Sequence, residues 1–135
     1  MPDVTFDPPL PRAGSNSDQP FLQRIVLFDG SGELARAAWH TTGRDGVVQL
    51  VDLVVAPQHR RRGHGAQLLN VVVEQTRSFF RLRAPQALRR IWVNVEQKNQ
   101  VIARSFLTRH GFHHIATIPD VARNQDLLVY VKSFD

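Results

Sequence analysis

The sequence predicts an α+β fold in which helices flank a mixed, mostly antiparallel sheet, with the elements in the order β-β-β-α-β-α-β-β. Two glycine-containing turns, at 29–32 and 43–46, join strand-like runs and indicate antiparallel hairpins. The third run passes through a glycine-rich loop into an amphipathic helix. At 135 residues the chain is long enough for one domain with a single core.

The first twenty residues differ in composition from the rest of the chain. They include five prolines and a run of small polar residues, with few apolar side chains to offset the cost of ordering. We therefore expect residues 1–20 to form a flexible proline-rich arm and residues 21–135 to form the folded domain.

Three strands are predicted after the arm. Residues 21–28 and 34–42 are rich in apolar side chains and are bounded by the two turns. Residues 47–55 are the most apolar and show almost no alternation, which is typical of a strand covered on both faces at the centre of a sheet. Pro57 ends this strand, because proline has no N–H to donate to a neighbouring strand.

The second half of the chain begins with a predicted helix at 66–83. Its apolar side chains recur at three- and four-residue spacing, and Pro85 follows its end. Gly111 suits the left-handed terminus of a second helix. The remaining predicted elements are a strand at 90–95, a helix at 99–110 and strands at 112–118 and 125–134.

The amino-acid composition limits which ligands, metal sites and locations we expect for this protein. The formal charge of +5 is mostly excess arginine, which suits a phosphate-bearing coenzyme, nucleic acid, an acidic partner or simply a solvated surface. The chain has no cysteine, and no histidine pair at helical spacing lies within a predicted helix, so we expect no metal site. No run is long enough to span a membrane, and residues 1–20 lack the layout of a secretory signal. We therefore expect a cytoplasmic protein without a membrane partner.

The segment 56–65, Ala-Pro-Gln-His-Arg-Arg-Arg-Gly-His-Gly, joins the apolar strand to the first helix. Free N–H groups at a helix start favour an anion, Gly63 and Gly65 let the backbone approach a ligand, and arginines add positive charge. This pattern predicts a phosphate cradle, and the alternative is a tight turn with arginines in water. A nucleotide P-loop and a dinucleotide fingerprint are disfavoured, because their defining lysine and third glycine are absent.

Two segments resemble the GNAT superfamily of N-acetyltransferases. Arg60-x-x-Gly63-x-Gly65, after the apolar strand, is similar to the family's acetyl-CoA signature. The second segment is similar to the family's second helix and the strand after it, with Asn99, then Ala103-Arg104-Ser105-Phe106, then Arg109-His110-Gly111-Phe112. The resemblance covers residues 21–134 and implies a GNAT-like fold truncated at its N-terminus, because family members open with a strand and two helices.

The resemblance implies a binding site for acetyl-CoA as cosubstrate. Its pantetheine would contact the backbone of Leu53, Val54 and Val55. Its pyrophosphate would lie against Arg60, Arg61, Arg62, Gly63, His64, Gly65 and Ala66. The far side of the coenzyme would be lined by Asn99, Phe106 and Arg109. Counting back from Ala103 places the family asparagine at Gln100 instead.

The resemblance also implies direct transfer of the acetyl group from acetyl-CoA to an amine in a ternary complex. The amine must lose a proton, and Asp52 and Glu96 are the candidate general bases. Asp52 is equally explained as a buried carboxylate paired with an arginine, and Glu96 as a solvated charge. Many family members protonate the leaving thiolate with a tyrosine at the position of Leu107, although a thiol of pKa ~8.5 is already a fair leaving group.

Two other functions stay open. A non-catalytic acyl-CoA-binding or regulatory module on the same fold is favoured by Leu107 and by the short N-terminal segment. A nucleic-acid-binding domain is disfavoured, because few aromatic residues are interleaved with the arginines. The acceptor amine is either a small molecule or a peptide, and a homodimer would help to cover an open acceptor cleft.

Overall fold

The computed structural model describes residues 2–12, 20–43, 45–60, 62–82, 87–97, 100–122 and 124–134, and it divides into two compact units, residues 1–88 and 89–135. The described part of the first unit contains β1 (Asp3–Asp7), β2 (Phe21–Asp29), β3 (Gly32–Thr41), β4 (Val47–Val55), a 3-10 turn (Pro57–His59) and α1 (His64–Leu82). The described part of the second unit contains β5 (Arg90–Glu96), α2 (Gln100–Arg109), β6 (His113–Ala122) and β7 (Gln125–Ser133).

The strands of the first unit form an antiparallel sheet in the order β1-β2-β3-β4. One face of this sheet is apolar, since Ile25 on β2 is opposite Ala37 on β3 and Ala37 is opposite Leu53 on β4. α1 contacts β2, β3 and β4. Its buried stripe has the three- and four-residue spacing of a helix that covers a sheet, at Leu68, Leu69, Val72, Thr76, Phe79 and Phe80.

An aromatic cluster holds α1 against this sheet. The ring centroid of Phe79 lies 5.0 Å from that of Phe21 and 5.5 Å from that of Trp39, in tilted and edge-to-face arrangements. Phe80 adds another edge-on ring 5.0 Å from Phe79. Such pairs contribute about 0.5–1.5 kcal/mol each beyond the burial of their surface. The cluster therefore holds α1 in place on the apolar face of the sheet.

Gln23 is a buried polar residue that ties this core together. Its Oε1 accepts a hydrogen bond from Trp39 Nε1 at 2.9 Å, and its Nε2 donates to the carbonyl of Pro8 at 3.1 Å and to Gln75 Oε1 at 3.3 Å. A Gln23→Leu substitution would leave the indole N–H buried without this acceptor, so we expect the free energy of unfolding to fall by about 1–3 kcal/mol. Urea unfolding measures this loss, and a change below about 0.5 kcal/mol would show that the bond does not stabilise the core.

β4 contains a β-bulge at Val51. Leu50 and Asp52 are opposite consecutive residues of β3, so Val51 between them has no partner on that strand. The extra residue reverses the alternation of side chains, because alternation has a period of two. Leu50 is therefore buried on the α1 side, whereas Asp52 and Val54 lie on the other face. The expectation that residues 47–55 are covered on both faces is wrong beyond the bulge, where Val51 is 52% and Val54 is 38% exposed.

The strands of the second unit form an antiparallel sheet in the order β5-β7-β6. α2 ends at Arg109, one residue before the predicted end, and Gly111 beyond it has the expected left-handed conformation, with a φ of 87°. The N–H of Phe112 donates to the carbonyl of Leu107 at 2.9 Å. Lys132 Nζ on β7 donates to the carbonyl of His110 at 2.7 Å. The Lys132 ammonium therefore provides a hydrogen-bond donor and a positive charge at the C-terminus of the helix, where carbonyl groups are free and the dipole is negative.

The α+β class with mostly antiparallel strands and two α-helices is confirmed in the described part of the chain. The predicted order needs one correction, because β1 precedes the predicted strands and makes the order β-β-β-β-α-β-α-β-β. β1 lies within the segment expected to be an arm and pairs with β2 from Asp3 opposite Phe28 to Asp7 opposite Arg24. Apolar and polar side chains alternate over only five residues of β1, and prolines lie next to them in the sequence. This pattern is too short to predict a strand. A domain boundary at residue 20 stays a prediction.

Candidate functional site

A short loop joins β4 to α1, and hydrogen bonds hold it close to the sheet. The N–H of Ala56 donates to the carbonyl of Leu34 at 2.9 Å, and the N–H of His59 donates to the carbonyl of Ala56 at 2.8 Å. The Arg60 side chain folds back, and its Nε donates to the carbonyl of Val55 at 3.4 Å. These bonds fix where the chain leaves the sheet and therefore where α1 begins.

The N-terminus of α1 is open to a ligand. The N–H of Gln67 donates to the carbonyl of Gly63 at 3.0 Å, so Gly63 is the N-cap and the helix starts two residues before the predicted position. The N–H groups of His64, Gly65 and Ala66 have no acceptor within the helix. Gly63 has no side chain to cap them, its φ is 80°, and a Cβ at this position would meet no atom within 4 Å. Free N–H groups and the helix dipole at such an end favour the binding of an anion.

Basic side chains lie beside this helix end. Arg60 and Arg62 are exposed, and Arg61 lies outside the described residues. α1 has no acidic residue in its first turn. No carboxylate in the first turn of α1 therefore offsets the positive charge of Arg60 and Arg62. A surplus of positive charge is what the binding of a phosphate needs.

Two histidines and one carboxylate lie at the same end. His59 and His64 are half-buried, and their ring centroids are 6.2 Å apart at an interplanar angle of 74°. The Asp29 carboxylate accepts hydrogen bonds from the Ser31 hydroxyl at 2.6 Å and the Ser31 N–H at 2.8 Å. These bonds hold the pKa of Asp29 below its ordinary value, and the charges of His59 and His64 contribute smaller lowering effects. Asp29 therefore interacts electrostatically with both imidazoles, although Ser31 has the larger effect on its pKa.

The end of β4 leads directly into this loop. Leu53 and Val55 are half-buried on the α1 side of the sheet, and Val54 is exposed on the other face. The structure therefore places the predicted pantetheine and pyrophosphate residues on one continuous segment, from Leu53 through the N-terminus of α1. Every residue of that segment apart from Arg61 is described.

Asp52 lies next to that segment and is not buried. Its side chain is 46% exposed, and its Oδ2 is 3.9 Å from Nε of Arg36 on β3. Arg36 also lies 3.8 Å from Oε2 of Glu33. The alternative of a carboxylate paired with an arginine is therefore correct in the pairing but not in the burial, and exposed ion pairs of this kind stabilise a fold by about 0–1 kcal/mol. Sequence reasoning missed Arg36, because the register of β3 against the bulged β4 decides which arginine meets Asp52.

α2 carries two further predicted coenzyme residues in the second unit. Phe106 is half-buried, and its ring centroid is 4.6 Å from that of His110. Arg109 is exposed in the last turn. Burial, then the charges of Lys132 and Arg109, lower the pKa of His110. The neutral form of His110 is therefore favoured, and Arg109 and Lys132 supply the positive charge at this helix end.

The remaining predicted residues fall in different surroundings. Leu107 is a buried core residue of α2, and Glu96 is exposed at the end of β5. Asn99 lies outside the described residues, and Gln100, the alternative position for the family asparagine, is the first residue of α2.

Within the described ranges, no group of three or more His, Asp or Glu side chains is placed to hold a metal ion. No helix in that part of the chain is both long enough and apolar enough to cross a membrane.

The sequence matches a family model, and the fold matches solved structures. A family model described as the acetyltransferase (GNAT) family matches residues 4–112. No curated protein matches the sequence. Among solved structures, 230 chains match.

Three of these structures illustrate the likeness. An acetyltransferase of the GNAT family from Streptococcus pneumoniae is 17% identical with a TM-score of 0.69, and the match covers 91% of this chain and 71% of that one. The PaiA N-acetyltransferase from Thermoplasma acidophilum, solved with coenzyme A, is 15% identical with a TM-score of 0.64, covering 84% and 61%. A ribosomal-protein-alanine N-acetyltransferase from Brucella melitensis is 20% identical with a TM-score of 0.68, covering 84% and 69%. At these identities the likeness is one of fold.

Proposed function

The chain belongs to the acetyltransferase (GNAT) family, and we propose that it moves an acetyl group from acetyl-CoA to an amine by direct attack within a ternary complex. In this reaction the amine nitrogen forms a bond to the acetyl carbon, the carbon–sulfur bond breaks, and the sulfur leaves as the thiolate or thiol of coenzyme A. The protein contributes by holding the coenzyme, orienting the acceptor and taking a proton from the amine.

The open N-terminus of α1 is the observation that carries this proposal. An N-cap glycine with positive φ leaves three N–H groups for an anion, and exposed Arg60 and Arg62 stand beside them. A diphosphate fits such a site, because it offers several acceptor oxygens and negative charge at once. The segment from Arg60 to Ala66 is therefore proposed to bind the pyrophosphate of acetyl-CoA.

β4 is proposed to bind the pantetheine and to present the acetyl group. Pantetheine carries amide groups that pair with a strand backbone, and Leu53, Val54 and Val55 lead without interruption into the pyrophosphate loop. A backbone N–H on this strand would polarise the acetyl carbonyl as an oxyanion donor does. For Asn99, Phe106 and Arg109 the family resemblance alone supports a contact with the coenzyme.

Asp52 is the proposed general base. It lies one residue before the proposed pantetheine segment, and the bulge at Val51 turns it to an exposed face. Its Oδ2 lies 3.9 Å from Nε of Arg36, and a carboxylate is one of the side-chain groups that take a proton in general-base catalysis. Glu96, exposed at the end of β5, is the second candidate.

Substitution of the two carboxylates by amides tests this assignment. We expect Asp52→Asn to lower kcat/KM for acetyl transfer by about a hundredfold or more, because general-base catalysis typically contributes this much. Release of the coenzyme thiol in the presence of a panel of amines measures the rate. Glu33→Gln is the matched control, since Glu33 is the other ion-pair partner of Arg36, and it should stay within about twofold of the wild type. Full activity of Asp52→Asn together with loss in Glu96→Gln would move the role to Glu96.

A non-catalytic acyl-CoA-binding or regulatory module is the second candidate function. One observation favours it: α2 has the buried Leu107 where many family members have the tyrosine that protonates the leaving thiolate. The only tyrosine in the sequence, Tyr130, is on β7 and is itself buried. Binding of acetyl-CoA without turnover of any amine would identify the chain as such a module.

The acceptor is proposed to be an amine on a small molecule or a peptide. The neighbour from Brucella melitensis is named for a protein alanine, which supports a peptide amine as one of the two classes. A homodimer that helps to form the acceptor site, and a cytoplasmic location consistent with the lack of cysteine, belong to the same proposal.

A further inference from the structure

The first-unit sheet has a second face, on the side away from α1. α1 is the only α-helix in the described part of that unit, and it packs on the buried side of the sheet. Residues opposite one another on antiparallel strands project from the same face. The register therefore places Asp7, Arg24, Ala38 and Asp52 in one row across β1, β2, β3 and β4, on the side away from α1. We call this side the open face.

The open face is acidic, although the protein as a whole is basic. The chain has 17 Lys and Arg residues against 12 Asp and Glu residues, a net charge of +5 with histidine counted as neutral. On the described strands, four exposed carboxylates and two exposed arginines project from the open face. They are Asp3, Asp7, Glu33, Asp52, Arg24 and Arg36. This face therefore concentrates negative charge on a positively charged protein, and such a surface attracts a cationic partner.

The negative charge is only partly neutralised within the open face. Arg36 Nε lies 3.9 Å from Asp52 Oδ2, and Arg36 Nη1 lies 3.8 Å from Glu33 Oε2. Both distances are longer than a hydrogen bond between these atoms. Asp3 and Asp7 form no ion pair with a described residue. The carboxylates on β1 are therefore available to a positively charged partner.

The carboxylates of the open face are too far apart for one small cation to bridge. Neighbouring strands lie about 4.8 Å apart, and a strand rises about 3.3 Å per residue. Asp52 is therefore about 14 Å from Asp7, three strands away, and Asp7 is about 13 Å from Asp3 along β1. Val26 and Phe28 lie beside them on β2 and are half-buried. A peptide covers such a triangle of carboxylates and its apolar side chains, whereas a linear polyamine covers one side of it.

We propose that the open face binds a basic peptide that carries the acceptor amine, with the amine at Asp52 and basic side chains against Asp3 and Asp7. This inference rests on the proposed function, because Asp52 is the proposed general base. An extended peptide that crosses the strands spans this distance in about four residues. The chemical step is unchanged: the peptide amine gives a proton to Asp52 and takes the acetyl group, and the sulfur leaves with coenzyme A.

Charge complementarity sets the size of the expected effect. An exposed ion pair contributes about 1.5-fold to fivefold in affinity, and salt weakens it. Two such pairs, from the peptide to Asp3 and Asp7, are therefore expected to contribute about threefold or more at low ionic strength.

Three synthetic peptides with one free amine each test this inference. They share the sequence around the amine, and their flanking positions carry arginine, glutamine or glutamate. Arginine is the basic residue, because lysine would add further acceptor amines. At low ionic strength we expect kcat/KM, measured by release of the coenzyme thiol, to be about tenfold or more higher for the arginine peptide than for the glutamine peptide. The glutamate peptide should be the poorest acceptor.

The double variant Asp3→Asn/Asp7→Asn locates the effect on the open face. We expect the ratio of kcat/KM between the arginine and glutamine peptides to fall about threefold or more. Glu74→Gln is the matched control, since Glu74 is an exposed carboxylate on α1, and its ratio should equal that of the wild type. Circular dichroism checks that both variants fold. Fluorescence anisotropy of a labelled arginine peptide measures the same loss as a change in Kd, without turnover.

The results that would overturn the inference differ from those that would overturn the proposed function. Equal kcat/KM for the arginine and glutamine peptides, or an equal loss in Glu74→Gln and the double variant, would exclude the open face as the peptide site and leave acetyl transfer intact. Acetylation of a linear polyamine or another small amine, but of no peptide, would do the same. Release of no coenzyme thiol with any amine would overturn the proposed function, and the anisotropy would then decide peptide binding by itself.

Discussion

A Gly63→Ala variant is expected to bind acetyl-CoA about tenfold or more weakly than the wild type, a loss of about 1.4 kcal/mol in binding free energy. Gly63 is the N-cap of α1, and apart from its chain neighbours a Cβ at this position would meet no atom within 4 Å. A methyl group there would point into the region that the diphosphate is proposed to occupy. The φ of 80° adds strain of about 1–2 kcal/mol in the helix-capping conformation for any residue with a Cβ. Fluorescence or calorimetric titration measures the Kd.

Gly32→Ala is the control for backbone strain. Gly32 is also exposed, has a φ of 109°, and would place its Cβ with no atom within 4 Å, but it is the first residue of β3, directly after the turn from β2. Both variants should lose stability, whereas only Gly63→Ala should lose affinity. Equal affinities in the two variants would show that the coenzyme does not approach the Gly63 backbone.

A Phe79→Ala variant is expected to lower the free energy of unfolding by about 3–5 kcal/mol, which is a large part of the stability of an ordinary domain. Phe79 is fully buried and is in ring contact with Phe21, Trp39 and Phe80. Removing its ring leaves a cavity between α1 and the sheet and breaks these aromatic contacts together. Chemical denaturation monitored by tryptophan fluorescence measures the loss, since Trp39 is in the same cluster.

The exposed Phe6 provides the matched control for this core substitution. It lies on β1 and is 36% exposed. We expect Phe6→Ala to cost less than about half as much as Phe79→Ala, because less apolar surface is removed from a buried site. Similar losses in both variants would contradict the assignment of the core to the α1 side of the sheet.

Much of the fold could be predicted because the local sequence patterns indicate the same helices and strands that the packing of the core stabilises. The three- and four-residue spacing from Leu68 to Phe80 predicts a helix, and the same side chains form the buried face of α1. The turn glycines separate the strands. Gly111 follows the end of α2 with a positive φ, a conformation that glycine adopts without steric cost. The residues that make up each of these signals are close together in the chain, so the signals can be recognised without knowledge of the tertiary structure.

Two features of the fold depend on partners distant in the chain. β1 is stabilised by pairing with β2, and its own five residues carry little strand signal. The bulge at Val51 is a property of the β3–β4 register, and no local pattern marks it. Because a shift of one residue exchanges the two faces of a strand, the exposure of Asp52 and Val54 could not be read from alternation.

The candidate site was predictable as a segment but not as an arrangement. The order of strand, arginines, glycines and helix identifies the loop, because each residue type has a local role there. The proximity of His59 to His64 and the meeting of Asp52 with Arg36 depend on how the 3-10 turn and the paired strands fold. The second of these contacts surrounds the carboxylate that we propose as the general base.

Thermal unfolding of the wild type with and without excess acetyl-CoA tests the central claim most directly. At about one hundred times its Kd, a ligand that binds only the folded protein stabilises it by about 2.7 kcal/mol, which raises the Tm by several degrees. We predict this shift for acetyl-CoA and a smaller one for pantetheine, which lacks the diphosphate that the N-terminus of α1 is proposed to bind. No shift at millimolar acetyl-CoA would contradict the account, because the loop after β4 would then hold no coenzyme.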